Sequence, residues 1–147
     1  MCPSTQAAHR PHTFCDFSLV FPPDPGWVRT ARDAVGTALR SAGRGGMADT
    51  ALLLTSEVVT NAVHACRSSG CAEPVTVYGE WPEPATLRVL VHDGAPGLPV
   101  RQWSRGDSVG DSVGGRGLYL VGVCADEWGV CRHGPGRGKS VWFELGE

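Results

Sequence analysis

The period of the apolar positions changes several times along the chain, and each change marks an element. FSLVF (17–21) alternates apolar and polar residues as an edge strand does. PPDP ends it and places Pro25 where a helix can start. From Trp27 to Gly43, Val28, Ala31, Val35, Ala38 and Leu39 recur at helical spacing until GRGG interrupts them. A second helix is expected from Ala48 to Arg67, stopped by SSG. PVTVYGEW and TLRVLVHDG read as two strands joined at the PEP turn. A glycine-rich stretch without periodicity runs from Ala95 to Gly117 and holds GDSV twice in succession; loops this long inside a compact domain are usually functional. LYLVGVCADEW (118–128) reads as a short third helix, and GVCRHG and KSVWFEL close the chain as a hairpin around PGRG. The order β-α-α-β-β-loop-α-β-β predicts an α+β fold, a sheet with helices on one face.

The second helix carries the first candidate chemistry. Leu52, Leu54, Val58, Val59, Ala62, Val63, Ala65 and Cys66 fill one half of it; Ser56, Glu57, Thr60, Asn61 and His64 fill the other, with Leu53 the one intruder. Glu57 and Asn61 therefore stand one turn apart on one face. Taken alone, that face reads as a solvated one. The alternative is a cation site beside a base: the Asn carbonyl oxygen suits Mg²⁺, and an ionised Glu can take a proton from a hydroxyl.

Length and composition narrow the field. The chain has 147 residues, which suits one domain, and 41% are hydrophobic, enough for a core. The net charge of −2 shows no basic stripe for nucleic acid, and Lys139 is the one lysine among 13 basic residues. No apolar run approaches the ~18 residues of a membrane span, and the first residues have no secretory apolar core. The six cysteines form no C-x-x-C pair and are expected to be reduced, in a soluble cytoplasmic protein. Residues 1–15, rich in Pro, His and polar residues, are expected to be a disordered tail before a domain over 16–147.

Two further motifs follow. In VHDGAPGLP, Asp93 ends a strand and meets Gly94 at once. On its own this is an Asp-Gly turn; it is also a carboxylate placed to accept from an exocyclic amine, with Gly94 and Gly97 allowing a ligand close to the backbone. In GGRGL (114–118), glycines lead into a helix, where free N–H groups favour an anion, although neither a Walker A nor a dinucleotide fingerprint is present.

Taken together and in this order, the helical E-x-x-x-N, the D-G-x-P-G after a strand and the G-G-R-G-L before a helix resemble the N, G1 and G2 boxes of the GHKL superfamily. SEVVTNAVHA, VHDGAPGLP, GRGLYLVGVCADEWGV and GKSVWFEL are most similar to the RsbW-like anti-sigma-factor serine/threonine kinases, small ATP-binding regulatory proteins of actinobacteria, over roughly Phe17 to Leu145. The resemblance implies a Bergerat (histidine-kinase-like ATPase) two-layer sandwich, a mixed sheet with helices on one face. It implies ATP and Mg²⁺ as ligands, with Asn61 on the metal, Glu57 as general base and Asp93 on the adenine amine. Gly97 would shape the adenine pocket, Gly115, Arg116, Gly117 and Leu118 the phosphate-side turn, and Ser140 would lie near adenine; 98–114 would be the lid. The implied partners are a STAS-domain anti-anti-sigma protein, a sigma factor and a second copy of the chain. The alternative is a non-catalytic ATP-binding module acting by nucleotide-dependent partner binding. One departure stands out: where the family often has NAVRHA, this chain has NAVHAC, so His64 and Ala65 replace the usual Arg and His.

Overall fold

The structure, a computed structural model, describes residues 16–97, 113–132 and 138–147, the side chains of 113–117 excepted. The expected tail over 1–15 and most of the expected lid, with Trp103 and the GDSV repeats up to residue 112, lie outside the described residues. Strands β1 (Phe17–Phe21), β2 (Val75–Glu83), β3 (Thr86–Asp93), β4 (Glu127–Arg132) and β5 (Lys139–Gly146) form one sheet in the order β1-β2-β3-β5-β4. Helices α1 (Val28–Ser41), α2 (Ala48–Ser69) and α3 (Val113–Cys124) make the second layer.

Every strand pairing is antiparallel, which corrects the expected mixed sheet. The crossover through α3 does make β4 run parallel to β3. But β5 folds back between them and pairs with both, so no two neighbouring strands point the same way.

Alternation along the strands separates the two faces. Val75, Val77, Trp81, Leu87, Val89, Val91, Val141, Phe143 and Leu145 are buried in the main core with Leu54, Val58, Val59 and Val63 of α2 and Val35 and Leu39 of α1. Each fully buried residue of this kind contributes roughly 1.5–3 kcal/mol. That burial, more than helix propensity, seats β-branched-rich α2 across the sheet. The wheel drawn from the sequence holds: Leu53, its intruder, is exposed, while Leu54, Val58, Ala62 and Cys66 are buried. Gly70, left-handed at φ 71°, ends α2, and the Cys71 N–H donates back to the Cys66 carbonyl at 2.9 Å.

The other face of the sheet is laid out in rows. Glu80, Arg88 and Glu144 stand side by side and pair, with Arg88 2.6 Å from Glu144 and 3.4 Å from Glu80. The next row holds Tyr78, Leu90 and Trp142, which cluster with Cys131. Cys131 is disulfide-bonded, a correction to the expected reduced thiols; its apolar, buried setting carries no C-x-x-C spacing by which the sequence could have disclosed it. Cys66, Cys71 and Cys124 are free. No helix among the described residues is long and apolar enough to cross a membrane.

Candidate functional site

A cavity of about 230 Å³ opens where α2, the end of β3, α3 and the start of β5 converge. Val58, Ala62, Val91, Leu118 and Val141 give it apolar walls, and Asn61, His64, Ser68, Asp93 and Lys139 supply the polar groups. Few polar groups on an apolar lining are what a small-molecule site requires, though the volume is below the ~300–1,000 Å³ of drug-sized pockets.

Asp93 and Lys139 face each other across the β3–β5 pairing, both on the helix side of the sheet. The Lys139 ammonium donates to Asp93 Oδ1 at 2.9 Å, with side chains only 5% and 2% exposed. The Ala95 N–H donates to the same oxygen at 2.9 Å. This is the Asp-Gly turn foreseen in the sequence, but its carboxylate also lines the cavity. Gly138 enters β5 at φ 80° against the backbone of Asp93 and Gly94, where any side chain would collide. Gly97, at φ 93°, turns the chain beside the cavity, in a conformation that favours glycine.

Asn61 lines the cavity from α2, and both Oδ1 and Nδ2 are buried without a hydrogen-bond partner among the described residues. A buried carboxamide with neither end satisfied costs about 1–3 kcal/mol per group, so such atoms call for a ligand. Among the described residues no three His, Cys, Asp or Glu side chains cluster as a metal cage. The Asn61 carbonyl oxygen is of the ligand type that Mg²⁺ takes, an ion held by one or two protein oxygens while phosphates and waters complete its shell.

The remaining expected residues divide. Glu57 is half-buried one turn before Asn61, and it does not line the cavity. Leu118 lines it. Gly115, Arg116 and Gly117 lie within α3, which begins at Val113 and so swallows the GGRGL stretch expected to precede it. The first N–H groups of that helix are still left without intrahelical acceptors. The helix also stops at Cys124, and β4 takes Glu127 and Trp128, expected as its last turn.

Ser140 points to the opposite face. Its Oγ lies 3.2 Å from His92 Nδ1, beyond the sheet from Asp93, and its neighbour Lys139 lines the cavity. Lys139 was discoverable: Val141, Phe143 and Leu145 are apolar at alternate positions, and Lys139 is in phase with them. His64 lines the cavity while remaining exposed, with Nε2 3.4 Å from Ser68 Oγ.

Behind Asp93, burial pushes the Cys66 thiol up to about 11; the Asp93 charge and Cys71 push the same way, and a hydrogen bond from the Gly94 backbone opposes them.

The model of the histidine kinase-like ATPase domain family matches residues 21–145, which takes in all five strands in whole or part and every residue of the cavity. No curated protein matches the chain.

Proposed function

The chain belongs to the histidine kinase-like ATPases, and on that premise we propose that it is a Mg-ATP-dependent serine/threonine protein kinase of the anti-sigma-factor type. Its substrate in this reading is a STAS-domain anti-anti-sigma protein. The family match supports ATP binding. The observation that carries the site is Asn61, a residue of the cavity lining whose two polar side-chain atoms are buried with no hydrogen-bond partner among the described residues, in a lining that also holds Asp93.

In this reading Asp93 and Gly97 would receive the adenine, Gly115, Arg116, Gly117 and Leu118 would form the phosphate-side turn, and Asn61 would hold the Mg²⁺. That ion, when bound, supplies the charge neutralisation on which phosphoryl transfer chiefly depends. Glu57 takes the proton of the acceptor hydroxyl. The hydroxyl oxygen then bonds to the γ-phosphorus, the bond to the bridging oxygen breaks, and its electron pair leaves with ADP. Sequestration of a sigma factor and homodimerisation belong to the same reading through the resemblance to RsbW-like proteins.

The test is transfer of label from γ-labelled ATP, with Mg²⁺, to a serine or threonine of a STAS protein. Transfer that is lost in Glu57→Ala supports the kinase. Absence of label while ATP is demonstrably bound would sink it. One observation favours a second reading, that of a non-catalytic ATP-binding module: Glu57 stands off the cavity. Under it, Glu57→Ala retains nucleotide-dependent partner binding and Asp93→Asn loses it.

A further inference from the structure

A buried lysine needs a reason. Lys139 is the one lysine of the chain, it is 4% exposed, and it sits in the wall of the cavity rather than on the surface. Its ammonium has three donors, and among the described residues one of them has an acceptor, Asp93 Oδ1. Asp93 in turn spends Oδ1 on Lys139 and Ala95, which leaves Oδ2 as its acceptor for anything else. The cavity wall thus presents an acceptor and a donor side by side, of opposite charge. The β3–β5 pairing sets Asp93 opposite Lys139, and the Gly138 backbone packs directly on that of Asp93.

We propose that Lys139 acts with Asp93 as the base-reading pair of this cavity and selects a 6-aminopurine by its amidine edge. The carboxylate accepts from the exocyclic amine, and the ammonium donates to the adjacent ring nitrogen. The inference rests on the nucleotide reading above and adds to it the specificity residue. A 6-oxopurine reverses both positions, setting a carbonyl against the carboxylate and a ring N–H against the ammonium. Mismatched buried polar groups of this kind discriminate strongly, because each wrong partner leaves a desolvated group unpaired.

The experiment compares ATP with ITP, which differ at the 6-position and the adjacent ring nitrogen, by calorimetric titration of the full chain with Mg²⁺. The wild type should prefer ATP by about 100-fold or more. Lys139→Met should narrow that preference at least tenfold, and Lys139→Arg, which keeps charge and donors, should restore most of it. Asp93→Asn combined with Lys139→Met removes both charges, so it remains informative if the single variant does not fold; it should narrow the preference as well. An ATP:ITP ratio unchanged in the folded variants would overturn the role of Lys139 and leave it structural. Tighter ATP binding on loss of Lys139 would overturn it too, by showing that the ammonium blocks the base. Failure of the wild type to bind either nucleotide would instead overturn the nucleotide reading itself.

Discussion

Gly138 lies with its α-carbon against the backbone of Asp93, at φ 80°, so the first residue of the approach to β5 is also the back wall of the Asp93 turn. Alanine there meets two obstacles: a left-handed conformation that costs an L-residue roughly 1–2 kcal/mol, and overlap with the Asp93 carbonyl, which demands a backbone shift. Gly138→Ala should lower stability by about 2–4 kcal/mol, read as a lower urea midpoint with an unchanged slope. A midpoint equal to wild type would show that this junction is not held as described.

On the outer face, Arg88 stands between two carboxylates, Glu80 and Glu144, all three at 15–17% side-chain exposure. Removing the shared cation leaves two acids beside each other, poorly hydrated. Arg88→Met should therefore destabilise the fold by about 1–3 kcal/mol, less than a fully buried pair would.

Glu80 alone behaves differently. Burial raises its pKa above the ordinary carboxylate value, Arg88 opposes that rise, and Asp16 adds to it. A raised folded-state value means that the stability Glu80 contributes is full below its unfolded value and is lost as pH rises through the folded one. Glu80→Gln should consequently be neutral to stabilising at pH 7, with the difference from wild type shrinking as the pH is lowered into the carboxylate range. Thermal unfolding of both proteins across that range checks the sign. A variant less stable at pH 7 would show that the Arg88 pairing outweighs the burial.

The sequence disclosed the site unevenly, for physical reasons. Helix α2 was legible because its wheel needs no partner: the period alone separates Leu54 and Val58 from Glu57 and Asn61. Asp93 was legible as a residue, since a strand ending in Asp-Gly is local. Its burial against Lys139 was not, because that depends on which strand lies beside β3, a nonlocal fact. Ser140, expected near adenine by resemblance, faces away from the cavity, and its neighbour Lys139 lines it. In a strand, one residue is the whole difference between faces. The start of α3 failed on propensity: Gly114, Gly115 and Gly117 disfavour helix by about 1 kcal/mol each, yet the helix begins at Val113. The mixed sheet failed on topology, since no pattern in the chain says that β5 inserts between β3 and β4.

The free thiols should differ in reactivity. Cys66 is wholly buried and its thiol is raised to about 11, so at pH 8 only about one part in a thousand is thiolate. Cys71 and Cys124 are partly exposed. Alkylation of the native protein with iodoacetamide, followed by peptide mass spectrometry, should label Cys71 and Cys124 first. Cys66 should label only on unfolding. Early labelling of Cys66 would mean that the end of α2 opens in the native state.

Asn61 offers the sharpest separation of stability from function. Among the described residues its two buried polar atoms have no hydrogen-bond partner, an arrangement that costs the fold. Leucine is close in size, needs no partner and would share the cavity lining with the apolar Val58, Ala62 and Leu118. Asn61→Leu should raise the unliganded Tm, by an amount corresponding to roughly 1–2 kcal/mol. The same change removes the oxygen proposed to hold Mg²⁺. Wild-type protein should therefore gain stability on addition of Mg-ATP in excess, as any ligand of the folded state requires, while the variant gains little or nothing. The two measurements point in opposite directions for one substitution. A structural asparagine would give the reverse of the first, a drop in unliganded Tm. Such a drop would remove Asn61 from the binding site and, with it, the observation on which the proposed kinase rests.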